Sequence, residues 1–264
     1  MRAKKSLGQH FLHDDGVLQA ITRALEWRDD EQIIEIGPGT GQLSRVLAEL
    51  AGHDLLTCVE KDRAMIAHLA RKQKSLKVVE GDAMRFDFTT LLGDEPAVVA
   101  GNLPYNVGTE IYFHLLENHR GRFRRLVLMF QKEVADRLVA SEGSKKYGPP
   151  SVMTRVLADA RSIMTVKPES FRPPPRVDSS VIVVDPLPEP RFGLSDTDLV
   201  PFGRFVRGIF GQRRKTIHNN MKRVVGPQGP DALAAAGIDP QARPETLAPE
   251  ALVKLWRAVL PVAT

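Results

Sequence analysis

A single cysteine, Cys58, is present among 264 residues. One thiol excludes an intrachain disulfide and a cysteine-built zinc site. Scarcity of cysteine fits a reducing compartment and disfavours chemistries that need a thiol nucleophile, such as carbon methylation of pyrimidines. Cys58 lies in the apolar run Leu55-Leu56-Thr57-Cys58-Val59, so a buried structural thiol is expected. No run of 18 consecutive apolar residues occurs, so no membrane-spanning helix is expected. The basic start, Met1-Arg2-Ala3-Lys4-Lys5, is not followed by an apolar stretch of signal-peptide length, and Asp14 and Asp15 come soon after. A cytoplasmic protein is the expectation. Seven histidines lack zinc-ligand spacing, and His10 and His13 alone are too few, so no metal is expected. Charged residues at 26% beside 42% apolar ones argue against disorder, and the net charge of +5 leans modestly toward polyanionic partners.

From residue 33 to about 131 short apolar runs alternate with helical patterns. The runs Ile33–Ile36, Leu55–Val59, Leu76–Val79, Ala97–Ala100 and Leu126–Phe130 are continuously apolar, as strands covered on both faces are. Helices are predicted over Gln42–Leu50, Ala64–Lys72 and Thr109–Leu116. This β-α-β-α order implies a parallel, doubly wound α/β sheet whose ligand site lies at the switch point of strand order. Two further strands are predicted near Ile163–Val166 and Ser180–Val184, with a proline-stiffened loop, Phe171-Arg172-Pro173-Pro174-Pro175, between them. Beyond the Pro-rich stretch 186–190 the pattern turns to short helices: Leu199–Phe210, Arg214–Val224, Asp231–Ala236 and Glu250–Val259. The expected domains are 1–188, Rossmann-like with an N-terminal covering segment, and 189–264, small and all-α.

The strongest local signal for a ligand is Glu35-Ile36-Gly37-Pro38-Gly39-Thr40-Gly41, a glycine turn between a strand and a helix. Glu60 ends the next strand, where a carboxylate can accept ribose hydroxyls. Asp82 follows the third strand, placed to meet an adenine edge. A dinucleotide would want Gly-x-Gly-x-x-Gly and a diphosphate at the helix N-terminus. This chain has Gly-x-Gly-x-Gly with a third acid beside it, which suits a cationic adenosine derivative such as S-adenosylmethionine better.

After the fourth strand comes Asn102-Leu103-Pro104-Tyr105. The exocyclic amine of adenine is a poor nucleophile because its lone pair is delocalised into the ring. Acceptors on both N–H bonds would draw the nitrogen toward tetrahedral geometry. The Asn102 side-chain oxygen and the Leu103 carbonyl can be those acceptors. Pro104 restricts Leu103 to extended backbone and so aims that carbonyl. Tyr105 offers a flat face for an unstacked base. No strong general base is needed, because a methylated ammonium loses its proton readily.

At these residues the chain resembles the ribosomal RNA adenine N6-dimethyltransferases, most closely the branch acting on small-subunit (16S) RNA. The resemblance runs from Ser6-Leu7-Gly8-Gln9-His10-Phe11-Leu12 to the C-terminal helices. It includes Phe130-Gln131-Lys132-Glu133-Val134, Tyr147-Gly148, Phe171–Ser179 and Gln212-Arg213-Arg214-Lys215-Thr216-Ile217. It implies a class I methyltransferase fold that uses S-adenosylmethionine and no metal. It also implies two methyls on each of two adjacent adenosines near the RNA 3′ end, and a part in subunit biogenesis. By the same resemblance His10 and Leu12 cover the cofactor, Gly37 lies against its methionine part, Glu60 holds the ribose and Asp82 the adenine. Asn102 touches both cofactor and target amine, and Tyr105 and Phe171 stack on the target base. His10 stands where the family usually has Asn. The alternatives are a large-subunit adenine methyltransferase of the antibiotic-resistance type and a non-catalytic RNA-binding assembly or transcription factor with the same fold.

Three basic clusters are candidates for contact with the small ribosomal subunit and its RNA. Residues 202–223 hold seven Lys/Arg and no acid; Arg213, Arg214, Lys215, Lys222 and Arg223 are the expected RNA contacts, while Phe202, Phe205 and Phe210 are expected in the helix core. The second is Arg120, Arg122, Arg124 and Arg125; the third is Arg2, Lys4 and Lys5. The run Arg71, Lys72, Lys74, Lys77 reads as an ordinary solvated helix end. A monomer is expected.

Overall fold

Strands covered on both faces need apolar side chains on each, and the strands of a computed structural model fall on those apolar runs; its described residues are 10–260. In chain order the first elements are β1 (Phe11–Leu12), α1 (Asp15–Ala24), β2 (Ile33–Ile36), α2 (Gln42–Ala51), β3 (Leu56–Glu60), α3 (Arg63–Lys72) and β4 (Lys77–Glu80). Then come β5 (Ala97–Asn102), α4 (Gly108–His119), β6 (Phe123–Gln131), α5 (Lys132–Leu138), α6 (Pro149–Leu157), β7 (Ala158–Val166), β8 (Phe171–Arg172) and β9 (Ser179–Pro186). Four helices follow: α7 (Asp196–Ile209), α8 (Ile217–Val225), α9 (Gly229–Ala235) and α10 (Pro249–Val259).

Seven strands form one sheet in the order β4-β3-β2-β5-β6-β9-β7. The pairs from β4 to β6 are parallel, and β9 returns antiparallel to β6, so the sheet is mixed. Strand order reverses between β2 and β5. Register then fixes what meets there: Ile36 lies opposite Val59 on one side and Gly101 on the other, so the next residues, Gly37, Glu60 and Asn102, end the strands at one level. Gly101 has no room for a side chain, since a Cβ would stand 2.9 Å from the Ile36 carbonyl oxygen.

The turn after β2 has positive φ at all three glycines, Gly37, Gly39 and Gly41. Gly41 is the N-cap of α2, and a Cβ there would approach Leu69 to 2.7 Å and collide with Gln73, whose side-chain amide donates to the Gly41 carbonyl. Helix α1 starts at Asp14, whose carboxylate accepts from the Val17 N–H and from the Ser170 hydroxyl at 2.9 Å. Those bonds hold its pKa below the usual carboxylate value. Asp14 thereby ties α1 to the turn before β8. Strand β8 in turn pairs antiparallel with β1, Leu12 opposite Phe171 and Phe11 opposite Arg172.

The chain divides into two compact units. One takes the described residues through Ala135 together with Asp159–Pro188; the other takes Asp136–Ala158 with the described residues from Glu189 onward. The stretch 136–158, which the linker alone assigns to the first domain, packs with the helices. Tyr147 is its anchor: fully buried, it donates to the Leu247 carbonyl at 3.0 Å and meets the Phe210 ring edge-on. Phe202, Phe205 and Phe210 are buried in this unit as expected, Phe202 against Trp256. Among the described residues no helix is long and apolar enough to cross a membrane, and no group of three metal-ligating side chains occurs.

Inside β2 one carboxyl is placed where burial is costly. Glu35 is 1% exposed; the Cys58 thiol donates to it at 3.3 Å and the Ser44 hydroxyl is its second partner. Burial outweighs both bonds and pushes its pKa up to about 7. The Cys58 thiol, buried beside it, is pushed well above its ordinary value and stays protonated. A carboxyl whose pKa is raised by folding destabilises the fold as pH climbs, because the unfolded chain gives up that proton first. The loss sets in above about 4.5 and is complete above about 7.

Two predictions follow from this architecture. Glu35→Gln removes the charging step, so its stability relative to wild type should rise by about 2.5 kcal/mol between pH 5 and pH 8. Denaturant melts at both pH values measure this, and a pH-independent difference contradicts it. Gly41→Ala should destabilise by about 1–2 kcal/mol or more, from the left-handed backbone and the collision together, read as a lower denaturant midpoint at unchanged slope.

Candidate active site

The strand ends open onto a cleft of about 1180 Å³, counting its mouth. Gly37, Glu60, Asp82, Asn102, Leu103, Pro104 and Tyr105 line it, with His10 and Leu12 from the N-terminal side. Sequence reasoning named all nine. It missed Phe11, whose ring lies against Gly39, and Lys61.

The carboxylates of the cleft have definite partners. The Glu60 carboxylate accepts from the Asp62 N–H at 2.8 Å on one oxygen and from the Gly39 N–H at 3.3 Å on the other. Each oxygen keeps a lone pair for a further donor. Burial nevertheless raises the Glu60 pKa. Asp82 pairs with the Lys61 ammonium at 2.7 Å, which lowers the Asp82 pKa and offsets the charge that the sequence assigns to this wall. With Glu35 near neutrality as well, the cleft is less acidic than three carboxylates suggest.

Asn102 is the best-defined group. Its Nδ2 donates to the His10 carbonyl at 2.9 Å, which fixes the amide so that Oδ1 is the remaining acceptor. That Oδ1 is buried and has no hydrogen-bond partner among the described residues. A buried acceptor without a donor costs about 1–3 kcal/mol, so this one is poised for an N–H from outside the chain. Leu103 is 1% exposed, and its N–H donates to the Met129 carbonyl, which locks the corner to β6. The Tyr105 hydroxyl shares a 2.6 Å hydrogen bond with Ser179, and burial raises its pKa.

One expectation about the cleft needs correction. Phe171 does not line the cleft: it is 1% exposed and belongs to the core around Leu12, Leu18 and Val181. Opposite faces of β8 alternate, so pairing Phe171 with the buried Leu12 turns Phe171 inward and Arg172 outward. The Tyr105 ring is covered by His10, stacked at 5.2 Å and 25°, with His10 Nδ1 held 2.8 Å from the Pro173 carbonyl oxygen.

The basic clusters separate clearly. Arg213, Arg214, Lys215, Lys222 and Arg223 are exposed on the helical unit, at the start and last turn of α8. Arg213 donates to the Lys145 and Tyr147 carbonyls and shares a cavity with Arg137, Lys146 and Arg207. The second cluster is turned inward instead. Arg124 binds Glu31 at 2.6 and 2.8 Å, Arg125 pairs with Asp185 and Glu26, Arg122 donates to the Gly93 carbonyl, and Arg120 is buried. These arginines brace β6, so they do not form the free RNA surface expected of them. Arg2, Lys4 and Lys5 lie outside the described residues.

Comparison with known proteins agrees with this geometry. The family profile for ribosomal RNA adenine dimethylase matches residues 1–258. The chain is 43% identical to the ribosomal RNA small subunit methyltransferase A of Syntrophotalea carbinolica, with 98% of each chain covered. It is 42% identical to the protein of the same name from Geobacter metallireducens, over 98% of this chain and 96% of that one. Among solved structures it is similar to a dimethyladenosine transferase from Plasmodium falciparum (TM-score 0.76, 26% identity, 93% and 96% covered). It is also similar to the 23S rRNA methyltransferase ErmE (TM-score 0.70, 25% identity, 94% and 99% covered). With a class I methyltransferase sheet, its glycine turn and the Asn-Leu-Pro-Tyr corner in one cleft, the chain belongs to the ribosomal RNA adenine dimethylase family.

Proposed function

We propose that the protein transfers methyl groups from S-adenosylmethionine to N6 of adenosine in small-subunit ribosomal RNA. It acts twice on each of two adjacent adenosines near the 3′ end, as a cytoplasmic monomer working on the small subunit during its biogenesis. The buried, unpartnered Oδ1 of Asn102 carries the reading. It is an acceptor awaiting an N–H donor, and Asn102 lines the cleft at the strand ends.

The residues present fit the donor. Nothing stands within 4 Å of where a Gly37 side chain would be, so a methionine part has space there. The Glu60 oxygens retain lone pairs for ribose hydroxyls, and Asp82, held by Lys61 and the Met84 N–H, offers an acceptor toward an adenine edge. His10 and Leu12 close the opposite side. When bound, S-adenosylmethionine supplies an electrophilic methyl carbon on a cationic sulfur.

The chain's own contribution is to the amine. In the first transfer Asn102 Oδ1 and the Leu103 carbonyl accept the two N–H bonds and restore the nitrogen lone pair; in the second the monomethylated amine has one N–H left for one of these acceptors. Pro104, lacking an N–H, keeps the corner extended, and the Leu103 bond to Met129 stops it from shifting. The Tyr105 face receives the base once the His10 ring leaves it, and the Ser179 bond fixes the plane of that face. The alkylated nitrogen releases its proton to water without a dedicated base. The exposed Arg213, Arg214, Lys215, Lys222 and Arg223 supply phosphate contacts.

The rival substrate is large-subunit RNA, on the likeness to ErmE at 25% identity; the 43% identity to small-subunit enzymes over nearly the whole chain supports the small subunit. Mapping the modified nucleotides on treated immature subunits decides between them.

Asn102→Ala should cut dimethyladenosine formation about 100-fold or more, while leaving RNA affinity within several-fold, as measured by a radiolabel assay and filter binding. A large loss of affinity contradicts that division. Tyr105→Leu should lose about 1–3 kcal/mol of base stacking, about 5- to 150-fold in single-turnover efficiency. Tyr105→Phe keeps the ring and should stay within a few-fold; equal losses in both variants would assign the role to the hydroxyl instead.

A further inference from the structure

The first unit carries a second concavity, a groove of about 1940 Å³ counting its mouth. Helix α2 forms one wall, the end of α3 with Lys72 and Lys74 another, and the outward side of the β1–β8 pair with Arg172 the third. Its charge is one-sided. Glu49, the sole carboxylate lining it, is bound to Arg45 at 2.8 Å, and Arg45 also holds Asp15 at 3.2 Å. Arg45, Lys72, Lys74 and Arg172 thus set four cationic side chains on the groove against its one lining carboxylate, joined by His13, His53 and His68. The lysines belong to a run that sequence alone reads as a solvated helix end; the fold sets them across from Arg172, 98 or more residues further along the chain.

The groove adjoins the cleft across the β1–β8 pair. Phe11, Leu12, Thr40 and Gln42 line both, and Arg172 pairs with Phe11 on the strand that separates them. A base extruded into the cleft remains covalently joined to its neighbours, so the flanking backbone must run over surface contiguous with the mouth. The geometry points to this groove as a binding site for RNA backbone phosphates flanking the target adenosine, held by Lys72, Lys74 and Arg172. This inference rests on the RNA-methylating function proposed above. Phosphate contacts of this kind position the strand without reading its sequence.

The test is the salt dependence of binding to immature small-subunit RNA by the full chain. For Lys72→Ala/Lys74→Ala/Arg172→Ala the slope of log affinity against log salt should fall by about 2, at roughly 0.7 per single-strand contact. S-adenosylhomocysteine affinity by calorimetry should stay unchanged. Lys72→Glu/Lys74→Glu, which leaves β8 intact, should weaken binding at least as much as the corresponding two alanines. Arg71→Ala/Lys77→Ala removes charge nearby but outside the groove and should leave the slope as in wild type. A triple variant with wild-type slope overturns the groove while leaving the function standing, provided wild type methylates the RNA. The same drop in the Arg71/Lys77 control also overturns it, by assigning the effect to net charge. Wild-type protein that neither binds nor methylates the RNA overturns both.

Discussion

Register in a parallel sheet fixes which residues of neighbouring strands stand side by side, and the chemistry of this protein depends on that constraint. Ile36 faces Val59 and Gly101 at once, so three loops otherwise distant in sequence begin side by side. One loop brings a glycine, one a carboxylate, one an amide. A one-residue slip of β5 would turn Asn102 to the other face of the sheet. A side chain on Gly101 would press on the Ile36 carbonyl one residue before the amide that donates to the His10 carbonyl.

The electrostatics of the cleft follow from what those neighbours do to each carboxyl. Asp82 is held ionised by a lysine and Glu35 is brought close to neutrality by burial. Glu60 lies between, buried yet stabilised by two backbone donors. A cation arriving beside Glu35 favours its ionised form, so its charge follows occupancy. The empty cleft therefore carries less negative charge than its carboxylates could supply, and the ionised form of Glu35 is favoured when a positive ligand enters.

Much of this was legible in the sequence because it rests on local chemistry. The continuous apolar runs locate six of the seven sheet strands to within a few residues, the exception being β7, which starts at Ala158 rather than near Ile163. The three glycines all adopt the backbone that only glycine takes easily. What was not legible depends on partners far along the chain. Arginines 120–125 read as a surface patch, but Glu26, Glu31 and Asp185 lie within reach once β6 is flanked by β9 and α1. Phe171 reads as a stacking ring, but its pairing with Leu12 turns it into the core. Asp14 caps α1 through a local bond that sequence reasoning passed over, and its bond to Ser170 joins residues 156 apart. The antiparallel turn-back of β9 leaves no local signature, since a strand buried on both faces looks alike in either direction.

The pairing of β1 with β8 has one more consequence. His10 reaches Pro173 across 163 residues of sequence, and the wall shared by cleft and groove is built from both ends of that span. Contacts so distant are made late in folding, after the intervening loop has been closed. On a translating ribosome β1 must wait for β8 until most of the first unit has emerged. A nascent chain halted before residue 171 has its glycine turn, its acids and its Asn-Leu-Pro-Tyr corner, but one side of the chamber is still unbuilt.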